Sequence, residues 1–84
     1  MEVLYFGAKW CKPCGTYKPV VEKACDMRRL KLTVYDVEEN PEPVEKFRIK
    51  GVPTVIVMDA ERQEVLRLAN AQTLDRLYEA LGGV

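Results

Sequence analysis

Val3-Leu4-Tyr5-Phe6-Gly7, followed by Trp10-Cys11-Lys12-Pro13-Cys14, is the stretch from which the fold is read. The first four residues are a short apolar run closed by glycine. Such a run reads as a strand buried on both faces, as parallel strands in α/β folds usually are. The second stretch opens a helix that continues to about residue 29. Val20, Val21, Ala24 and Cys25 recur along it at helical spacing and mark its apolar side. Pro19 lies inside that helix and removes one backbone hydrogen bond, so a kink is expected there. Arg28 and Arg29 fall in its last turn, where the helix dipole favours cations.

The position of the two cysteines carries more information than their spacing. The first turn of a helix leaves backbone N–H groups unpaired, and the macrodipole places partial positive charge there. A thiolate is an anion and is stabilised by both. Cys11, at the helix entrance, is therefore expected to have a lowered pKa, and Cys14, one turn in, to be more buried. The two intervening residues put both sulfurs on one side of one turn, within reach of a disulfide. Pro13 stiffens the turn, and the charge of Lys12 further favours the thiolate. The chemistry of such a pair is exchange: Cys11 attacks a disulfide, and Cys14 then attacks Cys11 to release the reduced product. That chemistry needs neither a metal nor an organic cofactor.

Beyond the helix, residues 30–36 read as a second strand through the β-prone Leu32, Val34 and Tyr35. Asn40 is a candidate N-cap, and Pro41 suits the first position of a short helix ending at about residue 47 or 48. The run 52–58, Val-Pro-Thr-Val-Ile-Val-Met, is the strongest strand in the chain. Residues 59–62 read as a hairpin turn and 63–68 as the partner strand. Asn70 or Thr73 caps a last helix with an apolar stripe of Leu74, Leu77, Tyr78 and Leu81, and Gly82-Gly83 stops it. The order is β-α-β-α-β-β-α. A parallel β-α-β half and an antiparallel β-β half fit one mixed four-stranded sheet with three helices on its faces.

Composition sets the outer limits. A chain of 84 residues is expected to form a single domain, residues 1–84. Thirteen basic and thirteen acidic residues cancel, which argues against a nucleic-acid or anionic-membrane surface. No run of roughly twenty apolar residues suggests a membrane span. The first seven residues lack the basic and apolar regions of a signal peptide, so a cytoplasmic protein is expected. Three cysteines make an odd, low number, unlike a secreted disulfide framework. Histidine and serine are both absent, which removes the usual general base and any Ser-His-Asp site. Zinc would want four ligands, and only Cys25 remains, about three helical turns or roughly 16 Å beyond Cys14. Cys25 reads as a buried core thiol, with glutathionylation or dimer formation as the other reading. Glu38, Glu39, Glu42 and Glu45 read most simply as a solvated face.

Trp10-Cys11-Lys12-Pro13-Cys14, Pro19 eight residues after the first cysteine, and Gly51-Val52-Pro53-Thr54 together resemble the thioredoxin family. The segment 36–41, Asp-Val-Glu-Glu-Asn-Pro, is similar to the exit from that family's second strand. The resemblance covers nearly the whole chain and implies a thioredoxin-like fold. It implies that Pro53 is cis and faces the cysteines, that the backbone of Val52 pairs with an extended substrate segment, and that Trp10 lines the docking surface. It implies a monomer that exchanges dithiols with disulfide-containing proteins and takes electrons from an NADPH-dependent thioredoxin reductase.

Four departures accompany the resemblance. The sequence starts at what would be the second strand of a full-length thioredoxin, as in the small thioredoxins of archaea and phages and in glutaredoxins. Tyr5 stands where thioredoxins carry a buried Asp, six residues before the first cysteine. The lysine usual on the next strand aligns with about Val34. The glycine usual before the last helix is not evident around residues 67–69. A tyrosine, with an ordinary pKa of about 10, is a poor base near neutrality. Tyr5 could instead donate a hydrogen bond to Cys14 or to an internal water, or simply fill the core. Two other functions compete: a glutaredoxin-like, glutathione-dependent reductase, for which Arg48 and Lys50 could hold a carboxylate, and a non-catalytic binding module.

Overall fold

The computed structural model describes residues 1–83. The elements follow the expected order: β1 (Glu2–Gly7), α1 (Lys12–Arg28), β2 (Lys31–Asp36), α2 (Pro41–Lys46), β3 (Thr54–Met58), β4 (Glu64–Leu68) and α3 (Leu74–Gly82). The four strands lie in the order β2-β1-β3-β4. β1 and β2 are parallel, while β1 with β3 and β3 with β4 are antiparallel.

The apolar runs of β1 and β3 are continuous because both strands are central and covered on both sides. Successive side chains on a strand point to opposite faces. Val3, Tyr5, Val55 and Val57 pack with Tyr17, Val21, Ala24 and Cys25 of α1 and Leu77 and Leu81 of α3. Leu4, Phe6, Ile56 and Met58 face the other way and pack with Val44, Phe47 and Ile49. Phe6 stacks on Tyr35 at 5.1 Å between ring centroids.

The helix ends show which local signals act. Thr73, not Asn70, is the N-cap of α3, and its hydroxyl accepts from the Arg76 N–H at 3.2 Å. Asn40 occupies the N-cap position of α2 but makes no capping bond. Its amide instead reaches back to donate to the Asp36 carbonyl at 2.9 Å. α1 runs through Pro19 as one helix. It ends in the paired reverse bonds of a Schellman motif, Leu30 N–H to Cys25 O and Arg29 N–H to Asp26 O. α2 ends the same way, with Ile49 bonding to Val44 and Arg48 to Glu45. The left-handed residue of each motif is an arginine, Arg29 or Arg48, rather than the usual glycine. Gly82 is the last helical residue of α3, and Gly83 is its C-cap.

β3 begins at Thr54, two residues later than expected. Pro53 has no N–H to give to a strand ladder, so regular pairing starts after it. Tyr17 is buried, at 3% exposure, although it fell outside the apolar stripe read from the sequence. None of the described helices is long and apolar enough to cross a membrane.

Candidate active site

Chain reversal after β1 delivers the first cysteine. The Cys11 N–H donates to the Ala8 carbonyl at 3.1 Å, closing a tight turn at the carboxyl end of a central strand. Cys11 is the N-cap of α1, with extended φ and ψ of −91° and 107°. Its Sγ accepts a hydrogen bond from the Cys14 N–H at 3.2 Å. Sulfur thus takes the place that serine or aspartate oxygen takes at most helix starts. The first turn contains no acidic residue to compete for that positive end. Pro13, in the same turn, lacks an N–H that a helix start could not have paired in any case.

Cys11 and Cys14 are joined as a disulfide, with Cα atoms 5.3 Å apart. Cys11 is 8% exposed and Cys14 4%, so the residue at the helix entrance is the more accessible of the two. Both pack in a small apolar cluster with Ala8, Val37 and Val52. Val52 therefore comes from the distant loop before β3 to the edge of the disulfide. The Val52–Pro53 peptide is cis, as the resemblance implied. The Thr54 hydroxyl donates to the Gly51 carbonyl at 2.7 Å and ties that loop to the start of β3.

Trp10 is 66% exposed beside the disulfide. A cleft of about 270 Å³ runs from it past Val37, Val44, Ile49 and Val52 to Lys50 and Gly51. Another cleft, of about 330 Å³, lies behind the disulfide and is lined by Tyr5, Gly7, Cys14, Lys18, Val34 and Asp36 among others. Tyr5 and Val34 are direct partners across the β1–β2 ladder. Two of the positions that depart from the family pattern are therefore neighbours in the sheet. Sequence reading did not single out Lys18, and took Asp36 only as the start of the strand exit; they reach this cleft from α1 and the end of β2. They are ordinary surface residue types, and only the fold brings them behind Cys14.

Tyr5 donates its hydroxyl to the backbone carbonyl of Cys14 at 2.8 Å, in a buried bond. The partner is the carbonyl rather than the sulfur. Burial, with Tyr17 a smaller contribution, pushes the Tyr5 hydroxyl up to about 12. Tyr5 thus stays protonated near neutrality and acts as a donor, not a base. A Cβ on Gly7 would meet the Tyr5 ring at 3.0 Å and its oxygen at 3.2 Å. The glycine leaves the room that lets this tyrosine reach Cys14.

The remaining candidates are less engaged. Lys12 is exposed, and its carbonyl accepts from the Thr16 hydroxyl at 3.4 Å. Glu39, read as part of a solvated face, is exposed and pairs with Lys9 at 3.1 Å. Cys25 is a free thiol buried in the core, where burial pushes it up to about 11. Among the described residues, no group of three or more Cys, Asp or Glu side chains is arranged to hold a metal ion.

Comparison with known proteins agrees with this geometry. A sequence model of the thioredoxin family matches residues 1–82. Thioredoxin of Mycobacterium bovis is 36% identical over 81 residues, covering 94% of this chain and 69% of that protein. The bifunctional thioredoxin reductase/thioredoxin of Mycobacterium leprae is also 36% identical over 81 residues, covering 94% of this chain and 18% of that longer protein. The structure of thioredoxin 1 from Thermosipho africanus superimposes with a TM-score of 0.88 at 26% identity, covering 99% of this chain and 92% of that one. The chain spans 60% of the length of the Acidithiobacillus ferridurans thioredoxin and 79% of that of a Staphylococcus aureus thioredoxin. With its mixed sheet, its cysteine-capped helix and its Cys11–Cys14 disulfide at CxxC spacing, the chain belongs to the thioredoxin family.

Proposed function

We propose that this chain reduces disulfides of target proteins by dithiol exchange, in the cytoplasm, with electrons supplied by an NADPH-dependent thioredoxin reductase. The observation that carries the reading is the Cys11 sulfur at the N-cap of α1, accepting the Cys14 N–H at 3.2 Å with no acidic residue in the first turn. Unpaired N–H groups and the helix dipole there favour a thiolate. In the reduced protein that thiolate attacks one sulfur of a target disulfide. The bond between the target sulfurs breaks, the second target sulfur leaves as thiolate, and a mixed disulfide forms on Cys11. Cys14, deprotonated, then attacks the Cys11 sulfur. The target's first sulfur leaves, two electrons have passed to the target, and the Cys11–Cys14 bond closes.

Trp10, Val52 and Pro53 form the docking surface. The exposed Trp10 ring and the cleft that runs from it to Val52 suit an apolar side chain beside the target cysteine. The backbone at Val52 offers hydrogen-bonding groups to an extended target segment, by strand addition. Lys12 and Pro13 tune the first turn, by charge and by stiffness. A relative in which reductase and thioredoxin share one polypeptide supports the choice of electron donor.

The test is reduction of insulin disulfides with three electron sources in parallel: dithiothreitol, glutathione with its reductase, and thioredoxin reductase with NADPH. Activity is expected with the first and third. Activity sustained only by glutathione would replace this reading with a glutaredoxin-like one. Loss of turnover in Cys11→Ala and in Cys14→Ala is expected in every arm. A biological role that survives alanine at both positions would point to a binding module instead.

A further inference from the structure

A second cleft continues the docking surface, and its chemistry differs. It occupies about 380 Å³ between the end of α2, the loop before β3, and β4, and is lined by Arg48, Lys50, Gly51, Thr54, Arg67 and Ala69. It shares Lys50 and Gly51 with the apolar cleft that starts at Trp10. Three of its six lining residues are cations and none is an acid. The chain as a whole has zero formal net charge, so this concentration of positive charge is made by the fold.

The cations come from two separate parts of the chain. Arg48 is the left-handed residue that ends α2, and Lys50 follows two residues later in the loop. Arg67 lies on the edge strand β4, opposite Ile56. Its guanidinium is held by both Glu64 oxygens at 2.8 Å and donates to the Phe47 carbonyl at 2.7 Å. Arg67 is thus a fixed wall, with much of its charge offset by Glu64. Arg48 and Lys50 are exposed, and among the described residues neither enters an ion pair. Their charges are the ones left for a ligand.

We infer that this cleft receives an acidic side chain of the target protein, from the same extended segment whose apolar side chain fills the cleft beside Trp10. The inference rests on the dithiol-exchange reading above. Two features favour a protein segment. The cationic cleft is continuous with an apolar one, and an extended chain places side chains i and i+2 on the same face about 7 Å apart. Preferred targets carry an apolar residue next to the reactive cysteine and Asp or Glu two or four positions further along. Glutathione offers carboxylates but no apolar side chain for the first cleft.

Two synthetic peptides test this. Each has one cysteine blocked with thionitrobenzoate and an apolar neighbour, and they differ only in carrying two Glu or two Gln at the following alternate positions. The Cys11 thiolate attacks the peptide sulfur and thionitrobenzoate leaves, so its release gives the second-order rate constant. In low salt the Glu peptide is expected to react about 2- to 30-fold faster, the range for two exposed charge pairs. Added salt should shrink that ratio toward one. The ratio should fall to about one in Arg48→Gln/Lys50→Gln and by a smaller factor in Lys50→Gln alone. In Arg48→Glu/Lys50→Glu the preference should invert. Equal rates for the two peptides with the unaltered chain, or a ratio that survives the double replacement, would overturn the inference. So would a glutathione–thionitrobenzoate disulfide that depends on Arg48 and Lys50 more than the Glu peptide does. If neither peptide releases thionitrobenzoate, the exchange reading itself falls, and this inference with it.

Discussion

Tyr5→Phe removes a single oxygen and leaves the ring in place. The bond it deletes is the buried 2.8 Å donation from the Tyr5 hydroxyl to the Cys14 carbonyl. A buried neutral hydrogen bond contributes about 1 kcal/mol net, within roughly 0.5–1.5. The vacated space is smaller than a methyl group, so little cavity cost is added. The ring keeps its edge-on contact with Tyr17, at 6.2 Å between centroids. For a domain of this size, 1 kcal/mol lowers Tm by about 4–8 °C. Urea unfolding of the oxidised and reduced proteins should show a lower midpoint with an unchanged slope. The same bond ties the backbone of Cys14, the proposed resolving cysteine, to the central strand. If about 1 kcal/mol of positioning is lost, resolution of the mixed disulfide slows about fivefold. Single-turnover release of a target from its Cys11 adduct measures that step. A variant with the parent's stability and the parent's release rate would refute the reasoning and leave Tyr5 as a ring that merely fills the core.

Alkali should destabilise the fold in a defined window. Burial raises the Cys25 thiol from 9.0 to about 11 and the Tyr5 hydroxyl from 10.0 to about 12. The unfolded chain releases these protons first, so stability is whole below pH 9 and falls as the pH rises from about 9 to 12, by on the order of 2 kcal/mol per group. In pH-dependent urea titrations, Cys25→Ala should flatten the lower part of that fall and Tyr5→Phe the upper part; an unchanged slope in both would contradict the burial argument. Thr73→Ala should cost about 1 kcal/mol, because it deletes the cap on the Arg76 N–H, whereas Thr73→Asp should restore it. A final test concerns the clamp between α1 and α3. The Arg28 guanidinium sits 3.6 Å from the centre of the Tyr78 ring, and its Nε donates to the Tyr78 carbonyl at 3.0 Å. A Cβ on Gly82 would collide with that guanidinium. Gly82→Ala should therefore destabilise the parent, yet stabilise the Arg28→Ala variant by about 0.5–1 kcal/mol through helix propensity. Additive effects in the double-mutant cycle would rule the clamp out.

Local chemistry makes much of this protein legible in its sequence. The apolar run 3–6 reads as a strand covered on both faces and the run 52–58 as the strongest strand, and both are central, the second from Thr54 on. The reactive turn is legible for the same reason: a cysteine entering a helix needs only its own neighbours to form a thiolate-favouring cap, and the Cys14 N–H to Cys11 Sγ bond spans three residues. Helix ends are less legible where two local signals compete. Asn70 and Thr73 are both good caps, and only in the structure is Thr73 seen to accept the Arg76 N–H that starts α3.

Contacts between distant segments were not legible in this way. The hydroxyl of Tyr5 finds a carbonyl nine residues away only because α1 packs over β1. Val52 meets the disulfide, and Arg48 and Lys50 meet Arg67, only because β3 lies between β1 and β4. Sequence by itself determined the order of the elements and which two sulfurs close as a disulfide, since periodicity and helix-end electrostatics act over a few residues. Tertiary structure alone decided what surrounds those sulfurs: the donor behind Cys14, the apolar cleft beside Trp10 and the cationic one beyond it. Each is formed by side chains far apart along the chain, which have no common local signature until the sheet closes them together.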